Sequence, residues 1–160
     1  MSVTHHLQQA CTPAHFAAAR ALFRAYAESL PISLDFQHFE QEMLSLEEQY
    51  APPHGCLLLV WGPAHEALGC CGVRRWHAHT AELKRMYLRP ALRGTGWGQR
   101  LLDAACDAAC QQGYTHLRLD TLPSMQAAIA LYLRNGFLPI PAYRANPVSG
   151  TLYLEKHLCS

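Results

Sequence analysis

The apolar positions fall into blocks whose period changes along the chain, and the changes predict helices at the start, strands in the middle and alternation afterwards. Phe16, Ala19, Leu22, Phe23, Tyr26 and Leu30 recur at the spacing of one helical face. Thr12 offers an N-cap hydroxyl and Pro13 suits the first helical position, so a helix should begin there and stop at Pro31. Phe36, Phe39, Met43 and Leu46 predict a second helix over 35–48, and Pro52-Pro53 breaks the chain after it. The apolar run Cys56–Trp61 reads as a buried strand, and the turn-like stretch 62–65 leads into a second over 66–75. A third strand, 82–88, follows the polar residues 77–80, which gives an antiparallel meander. Then come a glycine-rich loop, a helix over 96–112, a strand over 117–121, a helix over 124–135 stopped by Gly136, and a strand over 151–158. His5 and His6 belong to a first strand or a frayed end. No repeat, linker or low-complexity segment interrupts the pattern, so one α+β domain over 1–160 is expected.

The chain has 160 residues, 50% hydrophobic and 16% charged, which suits a packed core and argues against disorder. A net charge of +1 with scattered Lys and Arg gives no electrostatic case for a nucleic-acid binder. No apolar run approaches the ~20 residues that cross a bilayer, and the first ten residues lack the pattern of a signal peptide. No membrane partner is therefore expected, and the cytoplasm is the expected compartment. The seven cysteines are odd in number and sit mostly in apolar surroundings, as Cys70, Cys71, Cys106 and Cys110 do, so they read as free thiols packed like small hydrophobes. Among the ten histidines, His77 and His79 could chelate a metal. No CxxC or HExxH accompanies them, and no metal is expected.

The candidate chemistry lies where the third strand runs through Arg93-Gly94-Thr95-Gly96-Trp97-Gly98 into a helix. Alternating glycines let the backbone approach a ligand and turn several N–H groups toward one point at a helix N-terminus, which favours phosphate. Arg93 adds a fixed fork of positive charge. The spacing is not GxGxxG, and no Lys-Ser/Thr follows the last glycine, so neither a dinucleotide fold nor a Walker loop fits.

Arg-x-x-Gly-x-Gly, read from Arg93 to Gly98, resembles the acetyl-CoA signature of the GNAT N-acetyltransferase superfamily. Ala128 to Phe137 is similar to a second motif of that family, A-x-x-L-Y-x-x-x-G-F. The order of elements matches as well, so the resemblance covers nearly the whole chain. The segments starting at Tyr50, Leu119 and Tyr143 resemble a bacterial branch whose substrates are poorly assigned. The resemblance implies a central mixed, mostly antiparallel sheet of about six or seven strands with about four helices, splayed at the acetyl-CoA slot. It implies acetyl transfer from acetyl-CoA to an amine, by direct attack in a ternary complex. A GNAT-fold module that binds acyl-CoA without catalysis is the alternative.

The same resemblance assigns roles. Met86, Tyr87 and Leu88 would lie along the pantetheine arm, paired to it as an added strand, with a backbone N–H as oxyanion donor. Arg93, Gly94, Thr95, Gly96, Trp97, Gly98 and Gln99 would hold the pyrophosphate. Tyr132 is the candidate general acid and Glu82 the candidate base, with an ion pair to Lys84 or Arg85 as the alternative for Glu82. Alternation would set Glu82, Lys84, Met86 and Leu88 on one face if no bulge intervenes. Many relatives carry Asn seven residues before the tyrosine; here that residue is Met125, followed by Gln126. Phe36, Phe39, Tyr143, Arg144 and Asn146 would wall the acceptor side, and Lys84 and Arg144 suggest an acceptor carrying a carboxylate, such as an amino acid. A small-molecule amine is the expected partner, and a homodimer is common in the family.

Overall fold

The computed structural model describes residues 4–34 and 38–158. Strand β1 (His6–Gln9) leads to helix α1 (Pro13–Ser29). The Thr12 hydroxyl accepts from the His15 N–H at 3.2 Å, and His15 Nδ1 accepts from the Thr12 N–H at 3.3 Å, so two of the helix's orphan donors are satisfied reciprocally. Phe16, Ala19, Leu22 and Phe23 form its buried stripe.

The single helix expected over 35–48 is two short ones, α2 (Phe39–Leu44) and α3 (Leu46–Gln49), and its first three residues lie outside the described ones. The break is at Ser45, whose hydroxyl donates to the Gln41 carbonyl at 2.8 Å, the local competition that makes serine a poor helix interior.

Strands β2 (Cys56–Trp61), β3 (Ala67–His77) and β4 (Thr80–Leu88) form the meander. The third strand starts two residues earlier than its apolar pattern indicates, because His77 pairs with Thr80 in a tight hairpin whose backbone bonds need no apolar side chain. A 3-10 turn (Pro90–Leu92) precedes α4 (Trp97–Gln111), and β5 (His116–Thr121), α5 (Gln126–Arg134), β6 (Leu138–Pro139) and β7 (Leu152–His157) follow. The sheet order is β1-β2-β3-β4-β5-β7-β6, antiparallel throughout except between β4 and β5. Among the described residues this makes an α+β fold with seven strands and five α-helices, where about four helices are expected from the sequence.

Both faces of the sheet are covered, which explains why β2 reads as an unbroken apolar run. Leu58 and Val60 pack with Val73, Leu101 and Leu102 on the α4 side, while Leu57 and Leu59 pack with Leu22, Phe23 and Leu46 on the α1 side. Each such side chain contributes about 1.5–3 kcal/mol on burial.

A bulge corrects the expected alternation along β4. Cys70 faces Tyr87, yet Gly72 faces Lys84, so β4 carries an extra residue there. Arg85 occupies it with φ of 57°, a left-handed conformation uncommon for a long side chain. Ala81 and Leu83 face α4, and beyond the bulge Met86 and Leu88 do so too. Glu82 and Lys84 therefore lie on the opposite face from Met86 and Leu88. Arg85 is held by Glu42 of α2 through Nη2–Oε1 at 2.7 Å, and Glu42 also accepts from the Tyr50 hydroxyl at 2.8 Å.

The cysteines divide differently from the expectation. Cys56, Cys70 and Cys71 are buried free thiols and Cys106 a half-buried one, as expected, but Cys11 is exposed and Cys110 is disulfide-bonded. Burial pushes the Cys56 thiol up to about 11 and raises Cys70 and Cys71 as well, so these three are packing groups. Among the described residues, no helix is long and apolar enough to cross a membrane.

Candidate active site

The β4–β5 ladder is short: Thr80, Ala81 and Glu82 pair with His116, Leu117 and Arg118, and pairing ends there. From Leu83 to Leu88 the edge of β4 facing β5 is open. One cavity lies against each half of that edge.

The larger cavity, about 530 Å³, runs along Met86, Tyr87 and Leu88 to Arg93, Gly94, Gly96, Gly98 and Gln99, with Met125, Gln126, Leu131 and Tyr132 opposite. Thr95 and Trp97 do not line it. The Thr95 hydroxyl donates to the Leu92 carbonyl and pins the loop. The Trp97 ring is buried, with the Arg100 guanidinium 3.8 Å above it. Gly94 and Gly96 have φ of 74° and 87°, and a Cβ at either would meet nothing within 4 Å, so they are required for conformation rather than for lack of space. Gly98 has no such φ; a Cβ there would sit 3.5 Å from Leu88 and 3.6 Å from Leu131.

Helix α4 begins without a side-chain cap and without an acidic residue in its first turn. Its leading N–H groups have no intrahelical partners, so the positive end of the helix is left for an anion. Arg93 Nε donates to the Leu88 carbonyl at 3.0 Å, which ties the loop to the end of β4. An open strand edge, an apolar wall from α5 and an anion seat at the glycine loop together fit the pantetheine arm and pyrophosphate of acetyl-CoA.

Tyr132 projects from α5 into this cavity, only 6% exposed, with its ring 5.6 Å from that of Phe137. Burial pushes its phenol above the ordinary tyrosine value, so the side chain holds its proton at neutral pH. Met125 is the N-cap residue of α5 and lines the cavity with its thioether, at the position where the family resemblance leads one to expect Asn. Gln126 lines the same wall, so an amide does stand next to the vacated position.

The second cavity is narrow, about 30 Å³, and lies between the end of α1, β4 and β5. Lys84, Arg85, Asp120 and Asn146 supply its polar lining, and Tyr26, Leu30 and Leu34 its apolar lining. Burial lowers Lys84 to about 7; Arg85, Arg144 and Arg74 act in the same direction and Glu82 against it. Phe39 is buried in the core beside the Arg85 guanidinium, 5.5 Å from its ring centroid, and lines a different, shallower cleft with Arg24 and Ser33. Phe36 lies outside the described residues.

Glu82 lines neither cavity and is fully buried. Its Oε1 is 3.2 Å from Arg74 Nη2, and its Oε2 lies 2.8 Å from Arg144 Nη2 and accepts from the Tyr143 hydroxyl at 2.9 Å. The expected partners Lys84 and Arg85 give way to Arg74 and Arg144, because the bulge turns Arg85 toward Glu42. Burial works to raise the Glu82 carboxyl, but Lys84, Arg144 and Arg74 together outweigh it and hold it below the usual carboxylate range. Tyr143 packs edge-on against Trp76 and Tyr153, and Arg144 also reaches Asp120 at 3.3 Å. Tyr143 and Arg144 therefore stand in the network behind the second cavity rather than on its wall.

A group whose folded value is depressed adds stability above its unfolded value, about 4.3 for Glu, and that stability is lost as pH falls through the folded value. Glu82→Gln leaves Arg74 and Arg144 short of a buried partner, and losses of this kind run to about 3–5 kcal/mol. The thermal midpoint at pH 7 should therefore drop by roughly 10 °C. The gap between the two proteins should close as pH falls through the lowered folded value of Glu82, where the wild-type carboxyl takes up its proton. A midpoint within a degree of wild type at pH 7 would count against the network.

An open strand edge with a long slot against one half and a separate small polar pocket against the other suits an acyltransferase, which has two substrates to bring together. The chain matches the Acetyltransferase (GNAT) family over residues 17–137. It belongs to that family and is an N-acetyltransferase. It is 31% identical over 137 residues to the uncharacterized N-acetyltransferase C1271.07c of Schizosaccharomyces pombe, a match covering 85% of this chain and 84% of the relative. A segment of 80 residues is 39% identical to an IAA acetyltransferase of Azospirillum brasilense, covering 48% of this chain and 51% of that one. A GNAT-family acetyltransferase structure from Staphylococcus aureus shares the fold with a TM-score of 0.81, at 18% identity, over 98% of this chain and 100% of that one.

Proposed function

We propose that residues 1–160 act as one domain that transfers the acetyl group of acetyl-CoA to the amine of a small molecule, by direct attack in a ternary complex. The observation that carries this reading is the open edge of β4: the larger cavity occupies its Met86–Leu88 half and the smaller one its Leu83–Arg85 half. The carrier and the acceptor would meet at the bulge. Met86 and Leu88 hold the pantetheine arm through their backbone groups, and an N–H of this segment faces the thioester oxygen. The loop from Arg93 to Gln99 holds the pyrophosphate. Tyr132 donates its phenolic proton to the departing thiolate. Glu82, with both oxygens engaged, orients Arg144 rather than taking a proton. The Azospirillum relative is named for a small-molecule acetylation, which supports a small acceptor over a protein one. Lys84 and Asn146 at the pocket wall suit an acceptor that also carries a carboxylate.

The test is thiol release from acetyl-CoA across a panel of amino acids and simple amines, with the product identified by mass. Initial rates that vary both substrates should give intersecting reciprocal plots. Parallel plots with an acetylated enzyme would overturn direct transfer, and no turnover with any amine would overturn the small-molecule reading.

A further inference from the structure

Asp120 has no part in the reactions described so far, yet its surroundings are unusual. It sits on β5 two residues past Arg118, where pairing to β4 has ended, and it lines the acceptor cavity opposite Lys84 and Arg85. Its side chain is 7% exposed. Oδ1 is 3.3 Å from Arg144 Nη1, but Oδ2 is buried and has no hydrogen-bond partner. Among the described residues only Trp61 Nε1 and Gln112 Oε1 share that condition, so Asp120 is the one with a buried carboxylate oxygen left without a donor. A buried carboxylate oxygen without a donor is costly, and Asp120, unlike Trp61 and Gln112, also lines the cavity at the open edge of β4, where a donor from outside can meet it.

We propose that Asp120 binds the acceptor's ammonium group through Oδ2 and takes its proton; this rests on the reading that the chain acetylates an amine. Glu82 cannot do so, because both of its oxygens are engaged. Lys84 lines the same pocket and burial lowers it to about 7, so part of it is a neutral amine at pH 7; were it the group that takes the proton, the Asp120 variants would keep the wild-type rate with ethylamine. The network behind the pocket explains the orientation: Glu82 fixes Arg144, and Arg144 takes Oδ1, which leaves Oδ2 for the ligand. The step balances. The ammonium N–H bond breaks and its proton passes to Oδ2, freeing the nitrogen lone pair. That pair forms the C–N bond as the C–S bond breaks, and Tyr132 protonates the thiolate. Asp120 then releases one proton to water, Tyr132 regains one, and the amide loses its second N–H proton to water, for a net release of one proton.

Two probes of nearly equal shape separate this role from a structural one: ethylamine, an ammonium ion at neutral pH, and methoxyamine, which is uncharged there. The best acceptor from the amine panel would be run beside them. Asp120→Asn should lower kcat/KM for ethylamine about 100-fold at pH 7, the scale of losing a positioned proton acceptor, and for methoxyamine by less than about threefold. Acetyl-CoA affinity should stay at the wild-type level. Asp120→Ser should behave the same way, so that one poorly folding variant does not decide the matter. Equal losses with both probes, or none, would overturn the inference while wild-type turnover leaves the function intact. Failure of both variants to unfold cooperatively would assign Asp120 to the fold and overturn it equally. If wild type acetylates no amine at all, the functional reading fails first and this inference with it.

Discussion

Gly96→Val should lower acetyl-CoA affinity on the order of 100-fold and leave the protein folded. Gly96 stands at φ of 87° just before α4, a conformation that a β-branched residue resists. The left-handed region costs a side-chain-bearing residue about 1–2 kcal/mol, so the loop would relax and turn its N–H groups from a shared focus. Losing one charge-assisted hydrogen bond to a phosphate adds about 1.5–3 kcal/mol. Together these reach about 3 kcal/mol, which is two decades in the dissociation constant. The space for a Cβ at this position is open, so the effect comes through the backbone and not through a clash with the fold. Gly96→Ala, strained at the same φ, should show a smaller loss in the same direction. Wild-type affinity in the valine variant, measured by calorimetry, would remove the loop from the pyrophosphate site.

Tyr132→Phe should reduce kcat by about 100-fold or more and change acetyl-CoA affinity by less than about twofold. The hydroxyl is the only group removed, and the ring that packs on Phe137 remains. Burial raises the phenol above its ordinary value near 10, so Tyr132 stays protonated across the whole working range. The wild-type pH–rate profile should therefore have no falling limb from this group up to about pH 10. An unchanged kcat in the phenylalanine variant would show that the thiolate takes its proton from water. A drop in affinity equal to the drop in rate would make Tyr132 a binding residue.

Local signals made much of this legible in the sequence. The Thr12-Pro13 start, the two-sided strand Cys56–Trp61 and the motifs at Arg93–Gly98 and Ala128–Phe137 each depend on a few neighbouring residues, and each marks an element that forms where expected. What stayed hidden depends on contacts distant in the chain. Nothing near Arg85 announces a bulge, because the carboxylate that holds it there comes from Glu42 in another helix. The alternation that put Glu82 with Met86 failed for that reason. Arg74 and Arg144, which occupy Glu82, come from two other parts of the chain. The Ser45 break in the second helix was legible in principle, as a serine inside an apolar stripe. Asp120 carried a sequence signal only as part of the Leu119 segment, and its open oxygen exists because Arg144 reaches the other one. Phe39 shows the opposite error, an aromatic expected at the acceptor wall that serves as core under Arg85.

The central claim is that the slot along Met86–Leu88 and the glycine loop hold acetyl-CoA, and a calorimetric titration of acetyl-CoA and free CoA into the purified protein tests it most directly. One saturable site should appear for each ligand. At ~100 times its dissociation constant, either should add about 2.7 kcal/mol of stability and raise the thermal midpoint by several degrees. Gly96→Val should need about 100 times more ligand for the same heat and the same midpoint shift. No heat and no midpoint shift with either ligand, from a protein that unfolds cooperatively, would contradict the account.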